Sequence, residues 1–249
     1  MLIKPALVNR SRARPLHWRD VVHGEWLSQQ ERFALAPYWA SIAGDYALQL
    51  GPLSEGIAVG CKATELISVH PGDDARVKAE LNALPFSRRS VDVVVMSHVL
   101  EYASDPHQVL READRCLAFD GYIVLTAYNP WSLSTVVGAL PGQTGKSPWN
   151  GRYFSKGRVA DWLSLLNYEV LAEGYIGNSS LWPGQAKRTQ ASKDNPLCRA
   201  LPWLRCGYFM VARKRVFPLT PSPGFMRFAR ALTSAQPAQA RARQKVDKY

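Results

Sequence analysis

The sequence predicts an α/β fold, a mostly parallel sheet with helices on both faces. The run Val91-Asp92-Val93-Val94-Val95-Met96 reads as a strand buried on both sides. Asp105-Pro106 then opens a helix: Asp105 can cap it, and Pro106 fits the first turn, where a missing N–H costs nothing. Val109, Leu110, Ala113, Cys116 and Leu117 recur at helical spacing, Asp120-Gly121 ends the helix, and Tyr122–Ala127 forms the next strand. Strand, crossover helix, strand builds parallel sheets, which hold ligands at the carboxyl ends of their strands.

Taken in order, residues 18–43 carry a helical pattern, with Trp26, Phe33, Trp39 and Ile42 among Glu, Gln and Arg. Tyr46–Leu50 is a first strand ending at Gly51, Glu65–Val69 a second and Val77–Leu81 a third. Val91–Met96 and Tyr122–Ala127 are the fourth and fifth. Only about a dozen residues separate Gly51 from the second strand, too few for a full crossover helix. Pro141–Phe154 is a long Gly-, Pro- and Asn-rich loop, of a length that more often serves function than connection. Ser155 caps a helix through Leu166, followed by strand Glu169–Tyr175. An insertion from Gly177 to Arg205 precedes a last strand, Gly207–Ala212.

Composition narrows the class. A chain of 249 residues with 47% hydrophobic content has enough apolar surface for one full core. Apolar runs are too short to cross a membrane, and the N-terminus lacks the apolar stretch of a signal peptide, so a cytoplasmic location is expected. Cys61, Cys116, Cys198 and Cys206 form no metal-ligand spacing, and reduced thiols follow. No metal is expected. The net charge of +11 is concentrated at the ends. Residues 1–20 carry five cations against Asp20, and residues 221–249 carry six against Asp247. Such ends are either a footprint for RNA or another polyanion or solvated basic tails. The expected organisation is a basic arm over 1–17, a domain over 18–220 and a basic tail over 221–249.

The ordered set Leu84-Pro85-Phe86, Val91-Asp92-Val93-Val94, His98-Val99-Leu100-Glu101 and Arg115-Cys116-Leu117 through Gly121-Tyr122-Ile123-Val124-Leu125 resembles the class I S-adenosylmethionine-dependent methyltransferases, in particular their small-molecule-type group. Asn129-Pro130 after the fifth strand, and Phe154, Arg158 and Asp161-Trp162 on the later helix, resemble one bacterial branch of that group. The likeness spans roughly residues 15–220. It implies a Rossmann-like methyltransferase fold: a mostly parallel seven-stranded sheet with an antiparallel last strand. It also implies S-adenosylmethionine as cofactor and a methyl acceptor that is a small molecule or RNA.

The resemblance places cofactor contacts at Gly51, His70, Glu80, Leu81, Ser97 and His98. His98 is the candidate catalytic residue, since a neutral imidazole facing the methyl group could orient an acceptor or take its proton. Glu101, Tyr128, Asn129 and Trp131 are candidates for the acceptor side. Two positions depart from the family pattern. Gln49 replaces the acid before the glycine loop, which reads Gly51-Pro52-Leu53, and His70-Pro71-Gly72 stands where an acid would grip the ribose. The alternative is therefore a non-catalytic protein on the same fold, with a degenerate cofactor site and a binding or regulatory role, possibly on nucleic acid. A dehydrogenase is excluded because no G-x-G-x-x-G follows the first strand.

Overall fold

Alternation along the central strands sets the layers. In β4 (Val91–Ser97), Val94 and Met96 join the core on one face while Val93 and Val95 join the core on the other. The computed structural model describes residues 14–215 apart from 141, 144, 180 and 182–195. The expected basic tail and most of the 177–205 insertion lie outside the described residues, as does most of the basic arm.

Seven strands form one sheet: β1 (Ala43–Leu50), β2 (Lys62–His70), β3 (Val77–Lys78), β4, β5 (Leu117–Tyr128), β6 (Tyr168–Ile176) and β7 (Gly207–Lys214). Their order is β3-β2-β1-β4-β5-β7-β6. The pairs from β3 through β5 are parallel, and β7 runs antiparallel to both β5 and β6. This is the mostly parallel sheet with an antiparallel last strand that the sequence implies. The order reverses between β1 and β4, which opens a crevice at their carboxyl ends.

One face is covered by α2 (Pro106–Cys116) and α4 (Lys156–Leu165). The other is covered by α1 (Gly24–Trp39), whose Leu35 and Trp39 meet Val93, Val95, Val124, Phe209 and Val211. As the short spacing predicts, no helix links β1 to β2; a 3-10 turn at Pro52–Ser54 does so. The leading helix is shorter than the expected 18–43, because a 3-10 turn (Trp18–Asp20) and a left-handed His23 precede it. Its Phe33 faces solvent, 82% exposed.

Other elements also differ from expectation. Asp120-Gly121 does not end a helix: α2 stops at Cys116, and both residues lie in β5, where Asp120 takes a positive φ of 61° as the ladder shifts register. The third strand stops at Lys78 rather than Leu81. A short helix, α3 (Leu133–Gly138), occupies a stretch without helical periodicity; its Gly138 lies where a Cβ would collide with the Trp149 ring.

The caps follow the sequence. Asp105 accepts from the amides of His107 and Gln108 at 3.0 and 3.1 Å, and Ser155 accepts from Arg158 at 3.3 Å. Asp105→Ala should lower the unfolding free energy by about 1 kcal/mol while Asp105→Asn retains most of it, measured by urea unfolding.

Candidate active site

At the carboxyl end of β4 the chain turns through His98, whose φ of 52° is unusual for a residue with a side chain. Its amide still extends the sheet, donating to Thr126 O at 3.0 Å. The imidazole is sealed from water between two carboxyl groups. Nε2 lies 2.6 Å from Glu31 Oε1, and Nδ1 lies 3.0 Å from Glu101 Oε1. Tyr128 stacks on the ring with centroids 3.7 Å apart, and Trp18 meets it edge-on. Burial alone would push the imidazole pKa down, but the adjoining Glu31 and Glu101 carboxylates override it and hold it up at about 9. At neutral pH His98 is therefore an imidazolium with both nitrogens engaged.

Each carboxylate has further partners. Glu31 Oε2 accepts from the Ser97 hydroxyl at 2.9 Å and the Thr126 hydroxyl at 2.8 Å. Glu101 Oε1 accepts from the Tyr128 amide at 2.8 Å, while its Oε2 is buried without a hydrogen-bond partner among the described residues. Ser97's amide donates to the Ser54 hydroxyl at 2.8 Å, and Ser54 donates onward to Leu50 O, which ties the β1 turn to the end of β4. Sequence reasoning missed Glu31. The signal was present: Leu27, Glu31 and Leu35 lie four residues apart, so a carboxyl group sits in the middle of the buried stripe of α1.

Above this network lies a narrow cleft lined by Gly51, Pro52, Leu53, Leu81, Ser97, His98, Val99 and Tyr102, together with Arg14 and Pro15. Four of the sequence-derived cofactor residues thus meet here: Gly51, Leu81, Ser97 and His98. Gly51 has a φ of 82°, and a Cβ there would come within 2.9 Å of Val99 Cγ2, so only glycine leaves the cleft open. The cleft holds about 10 Å³, room for about one water.

The other predicted residues lie elsewhere. His70 is buried at the end of β2, with Nδ1 accepting from the Gly72 amide at 3.2 Å and Nε2 lying 3.6 Å from Glu55. Glu80 is exposed and outside the cleft. Glu101 and Tyr128 pack around His98 beneath the cleft rather than lining it. Asn129 does not point into the cleft. Its amide donates to Trp203 O and Arg205 O at 2.7 and 2.9 Å, and its oxygen accepts from Trp131 N, so it staples the turn after β5 to the segment before β7. Trp131 is 58% exposed and lines neither this cleft nor the cavity beside it.

That second, open cavity holds about 500 Å³, between residues 14–22 and the turn at 145–150. The strap formed by residues 14–22 is fastened at two points. Trp18 Nε1 donates to Leu53 O at 3.1 Å, and the Val22 amide donates to Ser147 O at 3.0 Å. Tyr102 connects the two spaces, donating to the Ser147 hydroxyl at 3.2 Å. No helix among the described residues is long and apolar enough to cross a membrane.

A family model described as a methyltransferase domain matches residues 61–125. The chain is 34% identical to the uncharacterized protein YafS of Escherichia coli (strain K12), over 89% of this chain and 90% of that one. Among solved structures, it is similar to a methyltransferase from Thermotoga maritima, described as S-adenosylmethionine-dependent and a possible histamine N-methyltransferase. That match has a TM-score of 0.55 and 15% identity, covering 78% of this chain and 92% of that one. It is also similar to the [4+2]-cyclase SpnF, with a TM-score of 0.52 and 14% identity, covering 85% and 89%.

The imidazolium leads to a stability prediction. The folded pKa of His98 lies above the unfolded value of 6.5, so its contribution is complete below about pH 6.5 and is lost as pH rises through about 9. Thermal unfolding of the intact chain should show a midpoint that falls across that window. His98→Gln leaves two buried carboxyl groups without their cation; it should cost about 3–5 kcal/mol at pH 7 and flatten that slope.

Proposed function

The chain belongs to the class I S-adenosylmethionine-dependent methyltransferases, as a relative of YafS, and from that premise we propose that it transfers a methyl group from this cofactor to an acceptor bound beside the narrow cleft. The observation that carries the reading is the glycine cradle at Gly51, placed where the strand order reverses and facing Leu81 and Ser97.

The lining suits the cofactor. The glycine would let the chain approach the methionine portion closely, Leu81 would offer an apolar wall to the adenine, and the Ser97 turn would lie on the sulfonium side. The cleft must widen, because a cofactor of this size needs on the order of 300 Å³. Arg14 and Pro15 line it, and a shift of that segment would widen it.

Bound there, held by Gly51, Leu81 and the Ser97 turn, S-adenosylmethionine would supply an electrophilic methyl group on its sulfonium. The protein's task is alignment in a water-poor site. His98 does not act as base in this reading, because its nitrogens are engaged by Glu31 and Glu101. It is a fixed cation that holds the Ser97 turn in place, as a positioning residue.

The second reading, a binding protein on the same fold, is favoured by one observation: the end of β2 presents His70 rather than an acid. Calorimetric titration with S-adenosylhomocysteine separates the two, after mass spectrometry has excluded a co-purified ligand. Saturable micromolar binding, lost in a folded Gly51→Ala variant, is expected. No binding at millimolar ligand would overturn the enzyme reading and leave the binding protein.

A further inference from the structure

We propose that the open cavity between the strap and the 145–150 turn binds a small anionic molecule bearing a phosphate or carboxylate, and that this molecule is the methyl acceptor. The second half rests on the methyltransferase reading; the first half does not.

The cavity's charge is one-sided. Arg14, Arg19 and Lys146 line it against a single acid, Asp20. Asp20 is already engaged, its Oδ2 accepting from the amides of Leu16 and His17 at 3.1 and 2.8 Å. Neither Arg19 nor Lys146 pairs with an acid among the described residues. Arg14 joins them: its Nη1 is buried with no hydrogen-bond partner among the described residues, and Glu80, outside the cavity, acts on its charge. A guanidinium fork takes phosphate or carboxylate oxygens in pairs, and a nearby ammonium adds a point charge.

Size and position select the class. About 500 Å³ suits a metabolite-sized molecule. A polynucleotide would call for an extended basic groove with aromatic platforms; here the cations converge on one bounded pocket. Arg14 and Pro15 also line the narrow cleft, so the two spaces share a wall. A molecule anchored by its anionic end on Arg19 and Lys146 can present its other end across that wall, toward Ser97 and Gly51. The floor is held by the two fastenings of the strap, Trp18 to Leu53 and Val22 to Ser147. An anion would therefore meet a strap already fastened at two points.

The test uses the full-length chain at fixed ionic strength, with inorganic pyrophosphate and citrate as probes and S-adenosylhomocysteine titrated in parallel. Saturable binding of at least one anion is expected, weakened tenfold or more in Arg19→Glu/Lys146→Glu. Homocysteine-ligand binding should be equal in both proteins. Both altered residues are exposed, so folding is not at stake. Anion binding that is absent, or equally strong in the double variant, overturns the site and assigns any residual affinity to the basic ends. If S-adenosylhomocysteine binds and neither anion does, the site falls while the methyltransferase reading stands. If an anion binds specifically and S-adenosylhomocysteine does not, the site stands and the acceptor assignment falls. A ten-nucleotide single-stranded RNA that binds more tightly than either anion, and is lost in the same variant, would overturn the small-molecule class.

Discussion

A charged cluster sealed from water organises the molecule. Glu31 comes from α1, His98 from the end of β4 and Glu101 from the turn beyond it. Withdrawing such groups from water costs several kcal/mol per ion, offset only where partners are well placed. Here Glu31 alone engages His98, Ser97 and Thr126, which belong to β4 and β5. Against an apolar core of equal volume the cluster adds little net stability. Its consequence is positional: α1 cannot slide along the sheet without stranding a buried charge. The left-handed backbone at His98 is held by the same contacts.

The narrow cleft and the wider cavity both inherit their shape from that cluster. Ser97 is fixed from below by Glu31 and from the side by Ser54, which places the end of β4 against the glycine turn of β1. Tyr102 then reaches from the cleft to Ser147 on the far rim of the cavity. The helix that would commonly follow β1 is replaced by a single 3-10 turn, and α1 covers the neighbouring face instead. The carbonyl of Leu53 in that turn is free to receive Trp18, so the loss of one helix provides the anchor for the strap.

What the sequence conveyed follows from how local each signal is. β4 and the Tyr122–Ala127 part of β5 were legible because burial on both faces demands a largely apolar run. The first three residues of β1, Ala43–Asp45, are largely exposed and carry no such run, so that strand read short. Their pairing depends on a partner distant in sequence: Asp92 accepts from the Asp45 and Tyr46 amides. Gly51, Leu81, Ser97 and His98 could be grouped through the resemblance, since each ends or follows a strand in the same motif order. Asn129 was misread because its partners, the carbonyls of Trp203 and Arg205, belong to a segment whose return to β5 no local pattern announces. Glu31 lay hidden for the same reason. A carboxylate in an apolar helical stripe conflicts with local rules, and such conflicts are where a fold is built around something other than packing.

The placement of α1 also dictates when the protein can be finished. The helix is among the first described segments to leave the ribosome, yet the surface it covers includes Phe209 and Val211 of β7, among the last. Until β7 inserts between β5 and β6, that surface is incomplete, and Glu31 waits for Ser97 and Thr126 while carrying its charge in water. The early chain therefore exposes Leu27, Leu35 and Trp39 during most of synthesis, the interval in which a nascent α/β domain is most open to aggregation. Long-range closure of this kind makes folding slow and late, a kinetic cost of fastening α1 to a strand far along the sequence.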